Sequence, residues 1–173
     1  DVRRSQRRVF PAGRPSRLDF HDAFQRVGAD AKQTFDQRTR HHAGAIGKVI
    51  QTVGLGPHRV SPATRPAWFW DPTQYGGILT DIGSHQFEQF LTYAGVKSAT
   101  VTNAAVANYH HKDHPEFEDW GESNLQGDNG ATCYIRIDWL NPQGLRTWGD
   151  GRTFILGTKG YMEIRKYLNL AAD

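Results

Sequence analysis

The stretch GGILTDIGSHQFEQFLTYAG (residues 76–95) decides the fold prediction. Two glycines begin the stretch, a third ends it, and apolar residues recur between them at helical spacing: Ile78, Ile82, Phe87, Phe90, Leu91 and Ala94. Because residues three and four apart share one face of a helix, this spacing predicts an amphipathic helix over residues 79–93. We expect its apolar face to pack against the rest of the domain.

The same helix carries a pair of polar residues that could take part in catalysis. Asp81 and His85 are four residues apart, so a helix places them on one face, one turn apart. A carboxylate beside an imidazole orients it and raises its basicity, as a proton-accepting histidine requires. The alternative is structural, with Asp81 as a helix cap and His85 as a hydrogen-bonded core residue. Spacing alone favours this alternative, since any helix can carry such a pair.

The segments before this helix predict a second helix and a strand. Phenylalanine, valine and alanine recur at helical spacing over residues 19–42, which predicts a long amphipathic helix ended by Gly44 and Gly47. The sequence KVIQTV that follows is rich in β-branched residues and predicts a strand over residues 48–53. Prolines then predict an irregular loop that ends in the aromatic cluster Trp68, Phe69 and Trp70.

The segments after the helix predict strands. In ATCYIRIDWL (residues 131–140) apolar and polar residues alternate, which predicts a strand with one packed face and one polar face. Further strands are expected within residues 98–109, 153–157 and 161–167. The turns GDNG and GTKG have the composition of hairpin connections.

This order of elements predicts an α+β fold. Helices come first and strands later, without alternation of the two, which favours an open, mainly antiparallel sheet with helices packed on one face. The 173 residues suffice for one domain with its own core. We expect a basic arm containing proline and glycine over residues 1–18 and the α+β domain over residues 19–173.

Charge and hydropathy limit the function classes. The net charge of +3 comes from six arginines in the first 17 residues, and the rest of the chain is slightly acidic. We interpret the arm as solvated or docked on a partner, not as a nucleic-acid site, because no nucleic-acid module follows it. No apolar run is long enough to cross a membrane, and no signal peptide is visible, so we expect a cytoplasmic protein. The single cysteine, Cys133, is expected to be a buried thiol.

The segment GLGPHR (residues 54–59) begins like a dinucleotide-binding fingerprint. Arg59 replaces the third glycine, and Pro57, Pro62 and Pro66 prevent the helix whose N-terminus would hold the pyrophosphate. We therefore predict no cofactor-binding residues in this chain.

The segment YHHKDH (residues 109–114) contains three histidines and an aspartate, which raises the question of a metal site. Zinc sites usually combine one short ligand pair with distant partners, whereas this cluster lies beside Pro115 and an acidic run. We predict a polar loop at the mouth of a cleft and no metal.

Four stretches occur in an order that resembles a known family: GAIGKV, GGILTDIGSHQFEQFLTYAG, DNGATCYIRIDW and ILGTKGYMEIRK. From about residue 44 to 166, the chain resembles the C-terminal domain of the glucose-fructose oxidoreductase, inositol dehydrogenase and rhizopine-catabolism family (Gfo/Idh/MocA). The resemblance implies a two-domain enzyme whose N-terminal Rossmann domain, absent from this chain, binds NAD or NADP. It also implies that one sheet face helps to form the substrate site and that the other forms a homo-oligomer interface.

The resemblance assigns roles to the polar pair. His85 would exchange a proton with a substrate hydroxyl while hydride passes to the nicotinamide, and Asp81 would orient His85 or contact the substrate. The expected substrate is a sugar, cyclitol or related polyol. The residues expected to line its site are Trp68, Trp70, Arg65 and His58, since aromatic faces cover sugar rings and polar tips bond hydroxyls.

One family feature is missing. The Glu-Lys-Pro motif, whose lysine assists the same proton transfer, does not occur in this sequence. We therefore expect the chain alone to be inactive and the full-length protein to be an NAD(P)-dependent oxidoreductase. The alternatives are a non-catalytic binding or scaffold module of the same fold and, from the arginine arm, a nucleic-acid binder.

Overall fold

Among the residues that the structure describes, seven strands form one sheet in the order β1-β3-β4-β5-β2-β6-β7. The structure is a computed structural model that describes residues 8–10, 44–145 and 147–165. The strands are β1 (Arg8–Phe10), β2 (Val49–Pro57), β3 (Ala99–Ala107), β4 (Trp120–Gly127), β5 (Thr132–Asp138), β6 (Arg152–Gly157) and β7 (Gly160–Arg165). Strand β2 pairs parallel with β5, and the other pairings between these strands are antiparallel. The predicted α+β fold with a mainly antiparallel sheet is confirmed.

The helices lie between β2 and β3 in the chain. They are α1 (Pro72–Tyr75), α2 (Ile78–Asp81) and α3 (Gly83–Ala94), and two 3-10 turns, Pro62–Thr64 and Ala67–Trp70, precede them. The sequence predicts one helix over residues 79–93, whereas the structure has two helices that meet at Ile82. At this junction the His85 amide bonds the Ile82 carbonyl, three residues back, where a continuous α-helix would use the carbonyl four residues back.

Helix α3 packs on one face of the sheet because two glycines of β2 leave room for it. A Cβ atom at Gly54 would lie 2.9 Å from Cγ of Gln86, and one at Gly56 would lie 2.7 Å from Nε2 of Gln86. Both glycines belong to the segment GLGPHR. They therefore lie inside a strand and serve helix–sheet packing.

The core lies between the helices and this face of the sheet. Strand β5 contributes Cys133, Ile135 and Ile137, which are 3%, 0% and 0% exposed, as its predicted alternation requires. Helix α3 contributes Phe87 and Phe90 to the cluster that contains Cys133 and Ile135. Burial raises the pKa of the Cys133 thiol to about 11, so Cys133 is a buried neutral thiol, as predicted.

Strand β4 is not among the predicted strands. In its place, before residue 127, the sequence predicts only an acidic loop. Its buried positions are Gly121, Ser123, Leu125 and Gly127, so a single large apolar residue marks the packed face. The β4–β5 and β6–β7 connections are the predicted GDNG and GTKG turns.

The predicted N-terminal arm differs from the structure in one respect. Three residues of the predicted arm form β1 and pair with β3, so they belong to the sheet. The domain boundary at residue 18 stays a prediction, and the helix predicted over residues 19–42 lies outside the described residues. Within the described part of the chain, the longest helix is too short to cross a membrane.

Candidate functional site

The N-terminus of α2 is held by a glutamate that is 40 residues away in the sequence. Oε2 of Glu118 accepts a hydrogen bond from the Ile78 amide at 2.9 Å. Gly76 and Gly77 both have φ of +82°, a backbone conformation that favours glycine. A Cβ atom at Gly77 would lie 2.6 Å from Glu118 Oε2. The two glycines thus allow the chain to turn tightly against the carboxylate.

Asp81 does not cap this helix, which corrects the structural alternative for that residue. Gly77 is the N-cap residue, and Asp81 is the last residue of α2. His85 lies in the first turn of α3, and both side chains are exposed. Neither residue is part of the core, so both side chains are accessible from solvent.

Three predicted site residues influence Asp81 electrostatically. Although its side chain reaches solvent, the neighbouring protein reduces its hydration, and this burial raises the pKa of the Asp81 carboxyl. The positive charges of Arg65, His58 and His85 oppose the shift. The structure therefore brings these four residues close enough for their charges to interact.

Arg65 lies over aromatic rings. Its Nε donates to the Val60 carbonyl at 2.7 Å, and its Cζ lies 4.3 Å from the Phe69 ring centroid and 4.9 Å from that of Trp139. Burial lowers the pKa of this guanidinium, and the negative charge of Asp81 opposes the change. Arg65 is thus a fixed cation whose charge acts on the Asp81 carboxyl.

His58 lies where β2 leaves the sheet. Its Nδ1 is 2.9 Å from the Gly56 carbonyl oxygen, which can only accept, so Nδ1 carries a proton and donates. The ring also makes an edge contact with Trp139, with centroids 5.6 Å apart. These two contacts fix the orientation of the imidazole ring. The hydrogen bond to Gly56 uses Nδ1 and not the second ring nitrogen, Nε2.

The two predicted tryptophans differ in environment. Trp68 is 50% exposed and makes an edge contact with Phe69. Trp70 is half-buried and stacks on His114, with ring centroids 3.8 Å apart and an interplanar angle of 9°. Trp70 is therefore held by the YHHKDH loop, whereas Trp68 presents its indole to solvent.

The YHHKDH loop is organised by the fully buried carboxylate of Asp119. This carboxylate accepts hydrogen bonds from the backbone amides of Tyr109, His110 and His111 at 2.8, 2.7 and 3.2 Å. Nδ1 of His111 lies 3.2 Å from the same group. In the described residues, no three His, Cys, Asp or Glu side chains are arranged to hold a metal ion. Asp119 instead shapes the loop that carries His114.

Sequence reasoning missed three residues of this region: Glu118, Asp119 and Trp148. The two acidic residues belong to the acidic run beside the predicted polar loop, and alternate positions from Phe117 to Leu125 are buried. That period of two was the signal for both β4 and the buried Asp119. The ring centroid of Trp148 lies 4.9 Å from Cζ of Arg65, a contact between residues 83 positions apart that no local pattern indicates.

The open sheet with α3 packed on one face has the α+β fold of dehydrogenase C-terminal domains. Residues 36–163 match the GFO/IDH/MocA C-terminal domain family. This match covers well over half of the chain, so the chain belongs to the Gfo/Idh/MocA oxidoreductase family. The family resemblance drawn from the sequence is confirmed.

Solved structures support the same assignment. A crystal structure of a candidate oxidoreductase from Erwinia carotovora atroseptica is 56% identical, with a TM-score of 0.73, over 79% of this chain and 40% of that one. A candidate myo-inositol dehydrogenase from Sinorhizobium meliloti is 24% identical, with a TM-score of 0.59, over 73% of this chain and 37% of that one. Levoglucosan dehydrogenase, in complex with NADH and levoglucosan, is 22% identical, with a TM-score of 0.57, over 78% of this chain and 36% of that one. The last two likenesses show the fold alone.

The chain spans about 40% of the length of its 56%-identical relative. A comparison with curated proteins finds no match.

Proposed function

We propose that this chain is the substrate-binding half of an NAD(P)-dependent oxidoreductase that acts on a sugar, cyclitol or related polyol. The observation that carries the proposal is the placement of two exposed residues, Asp81 and His85, at the adjoining ends of α2 and α3. The fold supports the substrate class, because neighbours of the same fold include a candidate myo-inositol dehydrogenase and levoglucosan dehydrogenase.

In this proposal His85 is the general base. It accepts the proton of a substrate hydroxyl as the carbon that bears the hydroxyl is oxidised, and it returns the proton in the reverse reaction. Asp81 stabilises the protonated imidazole through its negative charge, since the two residues lie at adjoining ends of α2 and α3. The positive charge of Arg65 offsets part of the effect of burial on the pKa of the Asp81 carboxyl. The charges near Asp81 thus support the transfer of a proton from the substrate hydroxyl to His85.

The described residues do not fit the phosphates of a dinucleotide. The helix N-terminus that follows the two glycines is occupied by the Glu118 carboxylate, which would repel a pyrophosphate. The glycines of GLGPHR lie within β2 and contact Gln86. When bound, the nicotinamide would supply the hydride acceptor. We propose that residues outside this part of the chain hold the dinucleotide.

We further propose that the sheet face opposite α3 makes a homo-oligomer contact. On this face Leu156 pairs with Tyr161 across β6 and β7, and these side chains are 41% and 77% exposed. Towards β3, β4 and β5 the face is polar and has a groove of about 350 Å³ lined by residues such as Asn103, Asn124 and Gln126. Exposed apolar side chains beside polar ones are typical of oligomer surfaces. The solution mass of the full-length protein tests this part, since a monomer would contradict it.

The catalytic part is tested with the full-length protein. Nicotinamide reduction is followed with myo-inositol, D-glucose and levoglucosan for the wild type, for His85→Ala and for the control Thr92→Ala, an exposed residue near the other end of α3. We expect turnover by the wild type and the control, and a loss of about 10² or more with His85→Ala. Equal turnover by His85→Ala would reject the assignment of His85. A wild type that reduces no nicotinamide with any polyol would favour the non-catalytic module.

A further inference from the structure

An exposed tryptophan lies beside the charged residues of the proposed site. The Arg65 guanidinium contacts three aromatic rings, of which Phe69 and Trp139 are buried at 3% and 4% exposure. The third, Trp148, is 39% exposed, with its ring centroid 4.9 Å from Cζ of Arg65. The buried rings therefore form a floor for the guanidinium, and Trp148 continues this aromatic surface into solvent.

The backbone holds Trp148 in this position. The Arg59 amide donates to the Trp148 carbonyl at 3.0 Å, and Gly149 forms a β-bridge with His58. A Cβ atom at Gly149 would lie 2.2 Å from the Pro57 carbonyl oxygen, so only glycine permits this approach. The segment that carries Trp148 is thus fixed against the segment that carries His58. A rigid mounting lowers the entropy lost when a ligand binds.

The exposure of Trp148 is not an isolated feature of the surface. Trp68 is 50% exposed and contacts Phe69, the same ring that lies under Arg65. The Phe69 ring therefore contacts both the exposed Trp68 indole and the guanidinium that Trp148 contacts, and the charge of that guanidinium interacts with Asp81. Scattered apolar residues on a surface are ordinary, but a cluster around a polar site is typical of ligand binding.

We propose that Trp148 is a specificity-determining residue that stacks against the ring of a cyclic polyol or sugar. This inference rests on the proposed function and narrows its substrate class. A pyranose or cyclitol ring presents a face of C–H groups that fits an indole, while its hydroxyls need polar partners such as Arg65, His58 and Asp81. An acyclic polyol has no such face and gains less from the indole.

The test uses the full-length protein with cyclic substrates (myo-inositol, D-glucose, levoglucosan) and one acyclic polyol (sorbitol). The variants are Trp148→Ala and Trp148→Phe, and the control is Ile50→Ala, since Ile50 is 41% exposed at the start of β2. For the best cyclic substrate we expect Trp148→Ala to raise KM roughly tenfold with little change in kcat. Trp148→Phe, which keeps a ring, should lie between the wild type and Trp148→Ala.

A second readout separates stacking from a structural role. The ratio of kcat/KM for the best cyclic substrate to kcat/KM for sorbitol should fall in Trp148→Ala, whereas a loss of folded protein lowers both values equally. If the wild-type enzyme uses cyclic polyols and Trp148→Ala changes neither this ratio nor KM, this inference alone is overturned. A wild-type enzyme that turns over sorbitol but no cyclic substrate would also overturn this inference and leave the proposed function standing, whereas one that uses no sugar or polyol would overturn both.

Discussion

The carboxylate of Glu118 accepts a hydrogen bond from the backbone amide of Ile78, at 2.9 Å and across 40 residues of sequence. The Glu118 amide in turn lies 3.3 Å from the Tyr75 hydroxyl oxygen, which accepts its hydrogen bond. These contacts tie both ends of the Gly76–Gly77 turn to the segment that leads into β4. The helix that carries Asp81 is therefore positioned by tertiary contacts and not by a local cap.

Removing the Glu118 carboxylate should destabilise the protein. In Glu118→Ala the Ile78 amide loses its partner, and we expect a loss of about 1 kcal/mol in the free energy of unfolding, as for other lost caps. Glu118→Gln keeps an acceptor oxygen and should lose less. Urea unfolding measures both, with Asp113→Ala as a control because Asp113 is an exposed acid on the preceding loop. An Ala variant as stable as this control would refute the role of Glu118 as a cap.

Gly77 should tolerate alanine less well than Gly130, another glycine with positive φ. Gly77 and Gly130 have φ of +82° and +87°, so alanine at either position costs about 1 kcal/mol or more of backbone strain. Only at Gly77 would the new Cβ atom meet an obstacle, 2.6 Å from Glu118 Oε2, whereas Gly130 has open space. Gly77→Ala should therefore lower the thermal unfolding temperature more than Gly130→Ala. Equal decreases in the unfolding temperature would mean that the Glu118 carboxylate does not restrict the side chain at position 77.

Asp81 should lower stability at neutral pH while it supports activity. Because burial raises the pKa of its carboxyl, the folded state binds this proton more tightly than the unfolded state. The stability linked to Asp81 is thus fully present below the ordinary carboxyl pKa and is lost as the pH rises through the raised value. We expect Asp81→Asn to unfold at a higher temperature than the wild type at pH 7, with a smaller difference at pH 3. Its kcat should fall by about 10². If Asp81→Asn were less stable than the wild type at pH 7, the expected direction of the stability change would be wrong.

The sequence predicts elements whose packed face is built from large apolar residues. Strand β5 was predicted because Cys133, Ile135 and Ile137 alternate with polar residues, and the helices α2 and α3 from their apolar spacing. Strand β4 was missed because glycine and serine fill most of its packed positions, where close approach to the helices leaves no room for larger side chains. A Cβ atom at Gly121, for example, would lie 2.9 Å from Ile78 Cγ2.

The site was predictable only in part, for a related reason. Asp81 and His85 are close in sequence, so helical spacing indicated their proximity. The roles of Glu118 and Trp148 depend on contacts with Ile78 and Arg65, residues 40 and 83 positions away. Such contacts arise from the pairing of strands and the path of loops, which single-sequence patterns do not encode.

The most direct test of the account is the rate of nicotinamide reduction in a single turnover of the full-length enzyme, with the wild type, His85→Asn and Thr92→Ala. Saturating polyol removes differences in binding, so the rate reports the proton and hydride transfer step. The account predicts a rate about 10² to 10⁴ times lower for His85→Asn, with partial recovery on addition of imidazole, and a wild-type rate for Thr92→Ala. A His85→Asn rate equal to that of the wild type would contradict the central claim that His85 is the proton acceptor.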